Sequence, residues 1–512
     1  MQRGHGRTRA AAVVGVAAVA GAGGVALYAS RQEAAAPGAP AETGLLNPDP
    51  TLHLLRRTTN GVTPALLADV SAAGGAASWL DDQLVPDRID DPEMDSLLTH
   101  YPLLDVPAET LAQRYAGDRR GPGEQLVAAT MARQIWSRRQ LLEVMTDFWS
   151  NHFNVTAPGG PAFATKPVED ATVIRAKALG SFEELLLADA TSPAMLLHLN
   201  NASSRGDDPN ENYGRELLEL HTVGIAADYT EQDVRDSAYV LTGWGVDGRG
   251  KFVFTPADHY VGPLRVLDWT SENADPAGGY KVGVSYLRHL ARHRQTALHL
   301  STKLAIRFVS DDPPPALVDS LAESYLSGGT AIVPWLRTLL DSPEFAASTG
   351  QKVRRPLEDL VATIRVLGIP PPVANPVAAM ADLIRRVRNL GHCPLEAGAP
   401  TGYPDVGVAW LSSSLTLGRW NEHRAITAQR VPGLDYGDFS GLVTDAAPAT
   451  VGECVDALTR RLTGQVFRSD HRRVLLRFLD TDPKQPYRAS EILPDLPDLV
   501  ALILDSPYHL MR

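Results

Sequence analysis

The stretch Asn210-Glu-Asn-Tyr-Gly-Arg-Glu-Leu-Leu-Glu-Leu-His-Thr-Val-Gly224 has the periodicity of an amphipathic helix. At about 100° per residue, one face is polar and includes three residues at four-residue spacing: Glu211, Arg215 and Glu219. The opposite face is apolar and is predicted to be buried: Tyr213, Leu217 and Leu220. The sequence therefore predicts a helix that packs on a core through one side and carries charged groups on the other.

The same spacing of apolar residues recurs along most of the chain. It occurs in segments 63–70, 124–149, 182–188, 212–223, 231–241 and 286–309. The segment 245–284 differs, because Phe252 and Phe254 alternate with other residues, and glycine and proline interrupt the rest. We therefore expect a mainly α fold, a multi-helical globular domain with a short β-hairpin or ordered loop inserted near residues 245–284.

Two segments resemble each other. Residues 335–345 and 499–508 each consist of an apolar helix that is stopped by Asp-Ser-Pro and followed by an aromatic residue. A common way of ending a helix explains this similarity, and two related helical lobes are the alternative. On the second interpretation, residues 51–350 form the main domain with the candidate site, and residues 351–512 form a C-terminal lobe.

The composition excludes several classes of protein. The chain has 512 residues, 44% apolar and 21% charged, which is typical of a globular protein with one large or two medium domains. Residues 1–31 contain four arginines and no acidic residue, so the remainder has 44 basic and 60 acidic side chains, a formal charge of −16. Such an acidic body repels phosphate backbones, which argues against nucleic acid as the main partner.

Cys393 and Cys454 are interpreted as core residues, with one disulfide as the alternative in an exported protein.

The N-terminus has the pattern of an export signal. Arg3, Arg7 and Arg9 precede an uncharged stretch at residues 10–28, and Ala-Pro-rich sequence follows Arg31. We interpret residues 1–29 as a signal that is either cleaved or kept as an N-terminal membrane anchor, and residues 30–50 as a tether. The protein is therefore expected to be extracellular or in the cell envelope, with contact to a membrane only through this segment.

Two polar clusters are candidates for a functional site. The first surrounds the start of the helix at 211, and its candidate residues are Arg205, Asn210, Glu211, Asn212, Arg215, Glu216 and Glu219. These residues form either a solvated helix face with ordinary ion pairs or the wall of a pocket. The second lies at the end of a helix and contains Trp149, Asn151 and His152. A histidine there is either a cation stabilised by the helix dipole or a proton carrier beside a sugar that stacks on the aromatic rings.

Several segments together resemble one family. They are Leu52-His-Leu-Leu-Arg-Arg57, Phe148-Trp-Ser-Asn-His-Phe153, Asn210 to Gly224, Tyr229-Thr-Glu-Gln-Asp-Val234, Leu241-Thr-Gly-Trp244, Lys303-Leu-Ala-x-x-Phe308 and Ser342-Pro-Glu-Phe345. Across nearly everything from residue 50 onward, the chain resembles the bacterial domain-of-unknown-function 1800 family. The resemblance implies an exported, mainly helical protein whose partner is an exported alkaline-phosphatase-like protein. Gly214, where the family usually has alanine, is expected to loosen its helix slightly.

Three hypotheses about function remain. The first is a hydrolase or lyase that acts on an envelope or extracellular glycan. In it Glu216 or Glu219 is the acid or base, His152 carries the proton, and other residues bind substrate: Arg205, Asn210, Glu211, Asn212, Arg215, Asn151, Trp149 and Trp244. The second adds a divalent metal held by His152 with Glu216 and Glu219, although no ligand motif supports it. The third is a non-catalytic envelope protein that binds or organises a partner, in which these motifs determine the fold.

Overall fold

The computed structural model describes residues 44–444 and 446–512, and it is mainly helical, as the periodicity predicted. The export signal or anchor and most of the tether fall on residues 1–43, which lie outside the described residues. Within the described ranges, no helix has the length and apolar character needed to cross a bilayer.

The helices of the first half are α1 (Pro50–Thr58), α2 (Pro64–Ala72), α3 (Ala76–Gln83), α4 (Pro92–Leu98), α5 (Ala108–Arg114), α6 (Gly121–Trp136), α7 (Gln140–His152), α8 (Lys166–Glu169), α9 (Phe182–Ala190), α10 (Pro193–His198), α11 (Glu211–Glu216) and α12 (Glu231–Val240). Two π-helical turns, Asp170–Arg175 and Leu217–His221, follow α8 and α11 directly.

The second half contains α13 (Gly279–Arg292), α14 (Arg294–Phe308), α15 (Pro315–Ser327), α16 (Ile332–Leu340), α17 (Pro343–Ala346), α18 (Pro356–Leu367), α19 (Pro376–Asn389), α20 (Ser413–Thr427), α21 (Gly441–Thr444), α22 (Val451–Thr463), α23 (Ser469–Phe478), α24 (Ala489–Ile492), α25 (Leu496–Leu504) and α26 (Pro507–Leu510).

Two of the predicted helices are each broken into two. Segment 124–149 is divided between α6 and α7 at Ser137, whose backbone is extended and whose hydroxyl donates to Asp91 Oδ2 at 2.6 Å. Segment 286–309 is divided between α13 and α14 at His293, whose Nδ1 accepts the backbone N–H of Gln295 at the start of α14. Apolar spacing continues across both breaks because the paired helices face the same core, so periodicity alone did not show them.

The segment near 245–284 contains β structure, as predicted, in two antiparallel hairpins. β1 (Trp244–Val246) pairs with β2 (Phe252–Phe254), and Trp244 lies opposite Phe254. β3 (Leu264–Val266) pairs with β4 (Trp269–Ser271), and the two-residue turn between them contains Leu267 and Asp268. Trp269 packs against Tyr286 of α13 with ring centroids 5.0 Å apart, which fixes the second hairpin on the helical body.

The buried apolar side chains form two separate cores. The first contains residues from Leu55 to Phe345, and the second combines residues of α4 and α6 with many apolar residues from Leu357 onward. The second core therefore includes residues on both sides of the expected boundary near residue 350. The two helices with similar sequences, α16 and α25, lie in different cores.

A buried network of charged side chains joins the two cores. Glu358, at the start of α18, accepts from Arg307 of α14 at 2.5 Å and from Arg355 at 3.1 Å, and it lies 3.3 Å from Arg512. Arg355 also donates to Asp147 of α7 at 2.5 Å. Burial opposes ionisation of Glu358, but the surrounding guanidinium groups hold its pKa well below the ordinary value. This carboxylate therefore remains charged and connects both cores to the C-terminus.

A second buried group of charges lies within the C-terminal core. His423 of α20 bonds Asp359 of α18 through Nε2 at 3.0 Å and Asp505 through Nδ1 at 2.8 Å. Burial disfavours the imidazolium, yet the two carboxylates together raise the pKa of His423 to about 9. His423 is therefore a buried cation at neutral pH that connects three elements of this core.

Cys393 and Cys454 are both free and buried, which agrees with their interpretation as core residues and not as a disulfide. Burial raises the pKa of both thiols, that of Cys454 to about 12.

The pKa of His423 makes stability depend on pH. Because this pKa rises from 6.5 to about 9 on folding, the stabilising effect is full below pH 6.5 and is lost as pH rises through about 9. We expect His423→Leu to lower the free energy of unfolding by about 3–5 kcal/mol at pH 6, because it leaves buried carboxylates unpaired. The difference from wild type, measured by urea denaturation, should shrink markedly at pH 10. A difference that stays constant between the two pH values would contradict this assignment.

Candidate functional site

The N-terminal end of α11 is fixed by Asn210. Its Oδ1 accepts the backbone N–H of Asn212 at 2.9 Å, and its Nδ2 donates to the carbonyl oxygen of Leu199 at 3.0 Å. At Gly214, an added Cβ would lie 2.7 Å from the backbone nitrogen of Ala238, so glycine is what allows α12 to pack closely on α11. Gly214 therefore allows close packing of these two helices.

The polar stripe of α11 lies at the surface. Arg215 donates to both carboxylate oxygens of Glu231, at 3.0 and 2.6 Å, and lies 3.5 Å from Glu219. Glu211, Asn212 and Arg205 are exposed, and the Arg205 side chain lies 3.6 Å from Asp258. Glu216 is partly exposed, and burial together with the neighbouring charge of Glu219 raises its pKa. The candidate residues of this stripe thus occupy an open helix face and not a closed pocket.

The two tryptophans proposed to stack on a sugar lie in the core. Trp149 is fully buried, and its Nε1 donates to the carbonyl oxygen of Ala178 at 3.0 Å. Trp244 is also fully buried and packs against Phe252 and Tyr280. Stacking on a sugar requires an exposed ring face, which neither indole has. The sequence could not show this, because a tryptophan beside other aromatic residues can lie either in the core or at the surface.

Asn151 connects α7 to the loop that carries Tyr403. Its Nδ2 donates to the carbonyl oxygen of Tyr403 at 2.8 Å, and its Oδ1 accepts the backbone N–H of the same residue at 2.6 Å. Asn154 donates in the same way to the carbonyl oxygens of Ala397 and Ala399. These amides therefore hold the 393–407 loop against the end of α7.

His152 is buried and both of its ring nitrogens are bonded. Nε2 lies 3.2 Å from the carbonyl oxygen of His221, which can only accept, so Nε2 carries the proton. Burial and the nearby Lys303 ammonium hold the pKa of His152 well below its ordinary value, so the ring is neutral. Nδ1 is then an acceptor, and it accepts a hydrogen bond from Nζ of Lys303 at 2.9 Å. The imidazole of His152 thus positions the amine of Lys303.

Lys303 belongs to a cluster that we call the histidine–lysine cluster, formed by His152, His221, His299 and Lys303. His299 and Lys303 are four residues apart on α14 and therefore share a face. His299 Nε2 donates to the carbonyl oxygen of Leu220 at 3.2 Å, so α14 contacts the π-helical turn that also holds His221. The ring of His152 lies 6.1 Å from that of His221 and 6.4 Å from that of His299.

The pKa of the Lys303 amine lies closer to neutral pH than that of an ordinary lysine. Burial lowers its pKa from 10.5 to about 8, and the carboxylate of Asp405 opposes this shift only in part. Asp405 also lies 3.6 Å from Arg307 of the buried network, so most of its charge is shared with other cations. The Lys303 side chain remains partly exposed. A lysine of this kind is suited to act as a general base or a nucleophile.

The structure does not bring His152 together with Glu216 and Glu219. His152 is buried at the end of α7 against the carbonyl oxygen of His221, whereas Glu216 and Glu219 are partly exposed. Among residues 44–444 and 446–512, the clusters with three potential metal ligands are Asp268, His289 and His293, and Asp359, His423 and His509. The metal site expected at His152 is therefore not assembled in the described chain.

Sequence reasoning missed the residues around Lys303. Lys303 stands in the segment Lys303-Leu-Ala-x-x-Phe308 noted above, and His299 precedes it by one helical turn. A histidine and a lysine at four-residue spacing on a helix was a usable signal, because they must share a face. The contact of this face with His152 depends on tertiary packing and was not readable.

The chain belongs to the family described as "Protein of unknown function (DUF1800)", whose model matches residues 53–511. The match spans both cores and includes the histidine–lysine cluster. Searches of curated proteins and of solved structures gave no match.

Gly224 allows the close approach of the 221–224 segment to His299. A Cβ at Gly224 would lie 2.7 Å from His299 Nδ1, and its φ is 82°. Gly160 has a similar φ of 72° but no heavy atom within 4 Å of such a Cβ. We expect Gly160→Ala to cost about 1–2 kcal/mol of stability and Gly224→Ala about twice as much, because the clash adds to the backbone strain. Urea denaturation of both variants tests this, and equal losses would contradict the contact.

Proposed function

We propose that the protein is an exported hydrolase or lyase that acts on a polysaccharide or another polymer of the cell envelope, with Lys303 as its general base. The observation that carries this proposal is the 2.9 Å contact of Lys303 with a neutral His152, together with the lowered pKa of the amine. Above about pH 8 this amine is mostly neutral, and it can then remove a proton from a sugar carbon or from an attacking water molecule. Export and location in the envelope are supported by the basic and apolar N-terminus.

The geometry favours the amine over the carboxylate pair as the reacting group. Glycosidases place two carboxyl groups on opposite sides of the scissile bond, whereas Glu216 and Glu219 lie together on one partly exposed face. Glu219 is also engaged by Arg215 at 3.5 Å. The pKa of Glu216 is raised, but the structure does not bring this carboxyl group to His152, so the proposal assigns the proton transfer to Lys303.

The substrate of this proposal is anionic. Arg205 presents an exposed guanidinium group suited to a carboxylate or sulfate group of a polymer, whereas the half-exposed Arg215 is already bonded to Glu231. Asn210 acts on these residues indirectly, because its amide fixes the start of α11. Uronic acid polymers, in which a base removes the proton beside a carboxylate, match this combination of charges.

Lys303→Met tests the proposed base directly. The full-length protein and the variant are incubated with purified uronic acid and ester-substituted polysaccharides, and products are followed by ultraviolet absorbance and by reducing ends. We expect wild-type turnover to rise through about pH 8 and Lys303→Met to lose roughly 10²–10⁴-fold. New absorbance identifies a lyase, and reducing ends without absorbance identify a hydrolase.

Lys281→Met is the matched control, because Lys281 is an exposed lysine outside the cluster and its loss should leave turnover unchanged. Turnover retained in Lys303→Met would contradict the proposal. Absence of turnover by the folded wild type on the whole set of polymers would also contradict it.

A non-catalytic envelope protein is the second candidate, and one observation favours it. The amides of Asn151 and Asn210, which stand in the family motifs, bond main-chain atoms, and so do the amides of Asn154 and Asn201, so these asparagines determine the fold. In this candidate function the protein binds or organises an exported partner of the alkaline-phosphatase-like class. Co-purification of such a partner with both the wild type and Lys303→Met, when the wild type turns over none of the polymers, would favour this candidate over the enzyme.

A further inference from the structure

A second group of chemically active side chains lies at the end of α13, just before the start of α14. His289 and His293 are four residues apart on this helix and at its C-cap, so their rings project to the same side, with centroids 5.9 Å apart. Asp268 approaches them from the turn between β3 and β4, where Trp269 anchors the hairpin on Tyr286. The three residues therefore come from two elements that are packed rigidly together.

The donor atoms of these residues converge. Asp268 Oδ1 lies 2.7 Å from His289 Nε2 and 3.7 Å from His293 Nε2, and the ligand atoms of the three residues all lie within 4.8 Å of one another. When two ligand atoms bind Zn²⁺ with bonds of about 2.0–2.1 Å at a tetrahedral angle, they lie about 3.3 Å from each other. The two separations from Asp268 lie on either side of that value, so side-chain shifts of about half an ångström would bring each imidazole nitrogen to bonding geometry with this carboxylate.

The three residues border a cavity of about 810 Å³, which gives an ion access and leaves room for further ligands. Three arginines also line the cavity, and two carboxylates other than Asp268 offset two of their three charges. Arg288 and Arg292 share Glu183 at 3.3 and 2.6 Å, and Arg294 lies 3.6 Å from Asp319. The contacts of Asp268 are with the imidazoles of His289 and His293.

We propose that Asp268, His289 and His293 bind one divalent transition-metal ion of the Zn²⁺ type, with its remaining coordination position open to the cavity. Two imidazoles and one carboxylate suit Zn²⁺, Ni²⁺ and Co²⁺ and not Ca²⁺ or Mg²⁺, which prefer oxygen ligands. Binding replaces the contact of His289 with Asp268 and the bond that the backbone N–H of Gln295 donates to His293 Nδ1 at 3.2 Å. That N–H lies in the first turn of α14 at the surface, where water replaces the lost acceptor.

The metal alone is the probe for this site. The full-length protein, stripped with a chelator, is titrated with ZnCl₂ by calorimetry, and bound metal is measured by elemental mass spectrometry after dialysis. We expect one equivalent of Zn²⁺, and at least about a tenfold loss of affinity in each of Asp268→Asn, His289→Ala and His293→Ala. Excess Mg²⁺ should not compete.

His100→Ala is the matched control, because His100 is exposed, follows the end of α4 and does not belong to the proposed metal site. It should bind Zn²⁺ like wild type. All four side chains are at least partly exposed, so circular dichroism should show each variant folded. Absence of stoichiometric Zn²⁺ in the wild type, or binding that the three variants leave unchanged, would overturn the proposal. This test is independent of Lys303, so its failure leaves the proposed function unaffected.

Discussion

The buried carboxylate of Glu358 is the interaction on which the junction of the two cores depends. Guanidinium groups of Arg307, Arg355 and Arg512 surround it, and Arg355 extends the network to Asp147. Each of these charges has lost water on folding, and removing one partner from such a group typically costs about 3–5 kcal/mol. The network therefore admits one arrangement of α7, α14 and α18, which sets how the two cores meet.

The candidate site follows from this arrangement. α14 carries Arg307 into the network and, one turn earlier, presents Lys303 to His152 at the end of α7. Because both helices are fixed by the same charges, the amine and the imidazole meet at 2.9 Å without a flexible loop between them. The nearby carboxylate of Asp405 also lies 3.6 Å from Arg307, so burial outweighs its effect and lowers the pKa of Lys303. The same network of charges thus joins the cores and positions the proposed general base.

Local sequence patterns were sufficient for the fold class and the inserted hairpins, because periods of 3.6 and 2 residues are properties of single segments. They did not reveal that α4 and α6 belong to the second core, which depends on packing across more than 200 residues of chain. The same limit affected the site. His152 was recognised from its motif, but its partner Lys303 lies 151 residues away. Trp149 and Trp244 were recognised as aromatic, but their burial is decided by neighbours that no local pattern reveals.

The most direct measurement is the pKa of Lys303 in the folded protein. Competitive acylation with trace labelled acetic anhydride over a range of pH, followed by mass spectrometry of the Lys303 and Lys281 peptides, gives the titration of each amine. The structure predicts half-maximal reactivity of Lys303 at about pH 8, more than two pH units below that of an ordinary lysine. Titration of Lys303 near pH 10.4 would contradict a neutral amine at this site, and with it the proposed base.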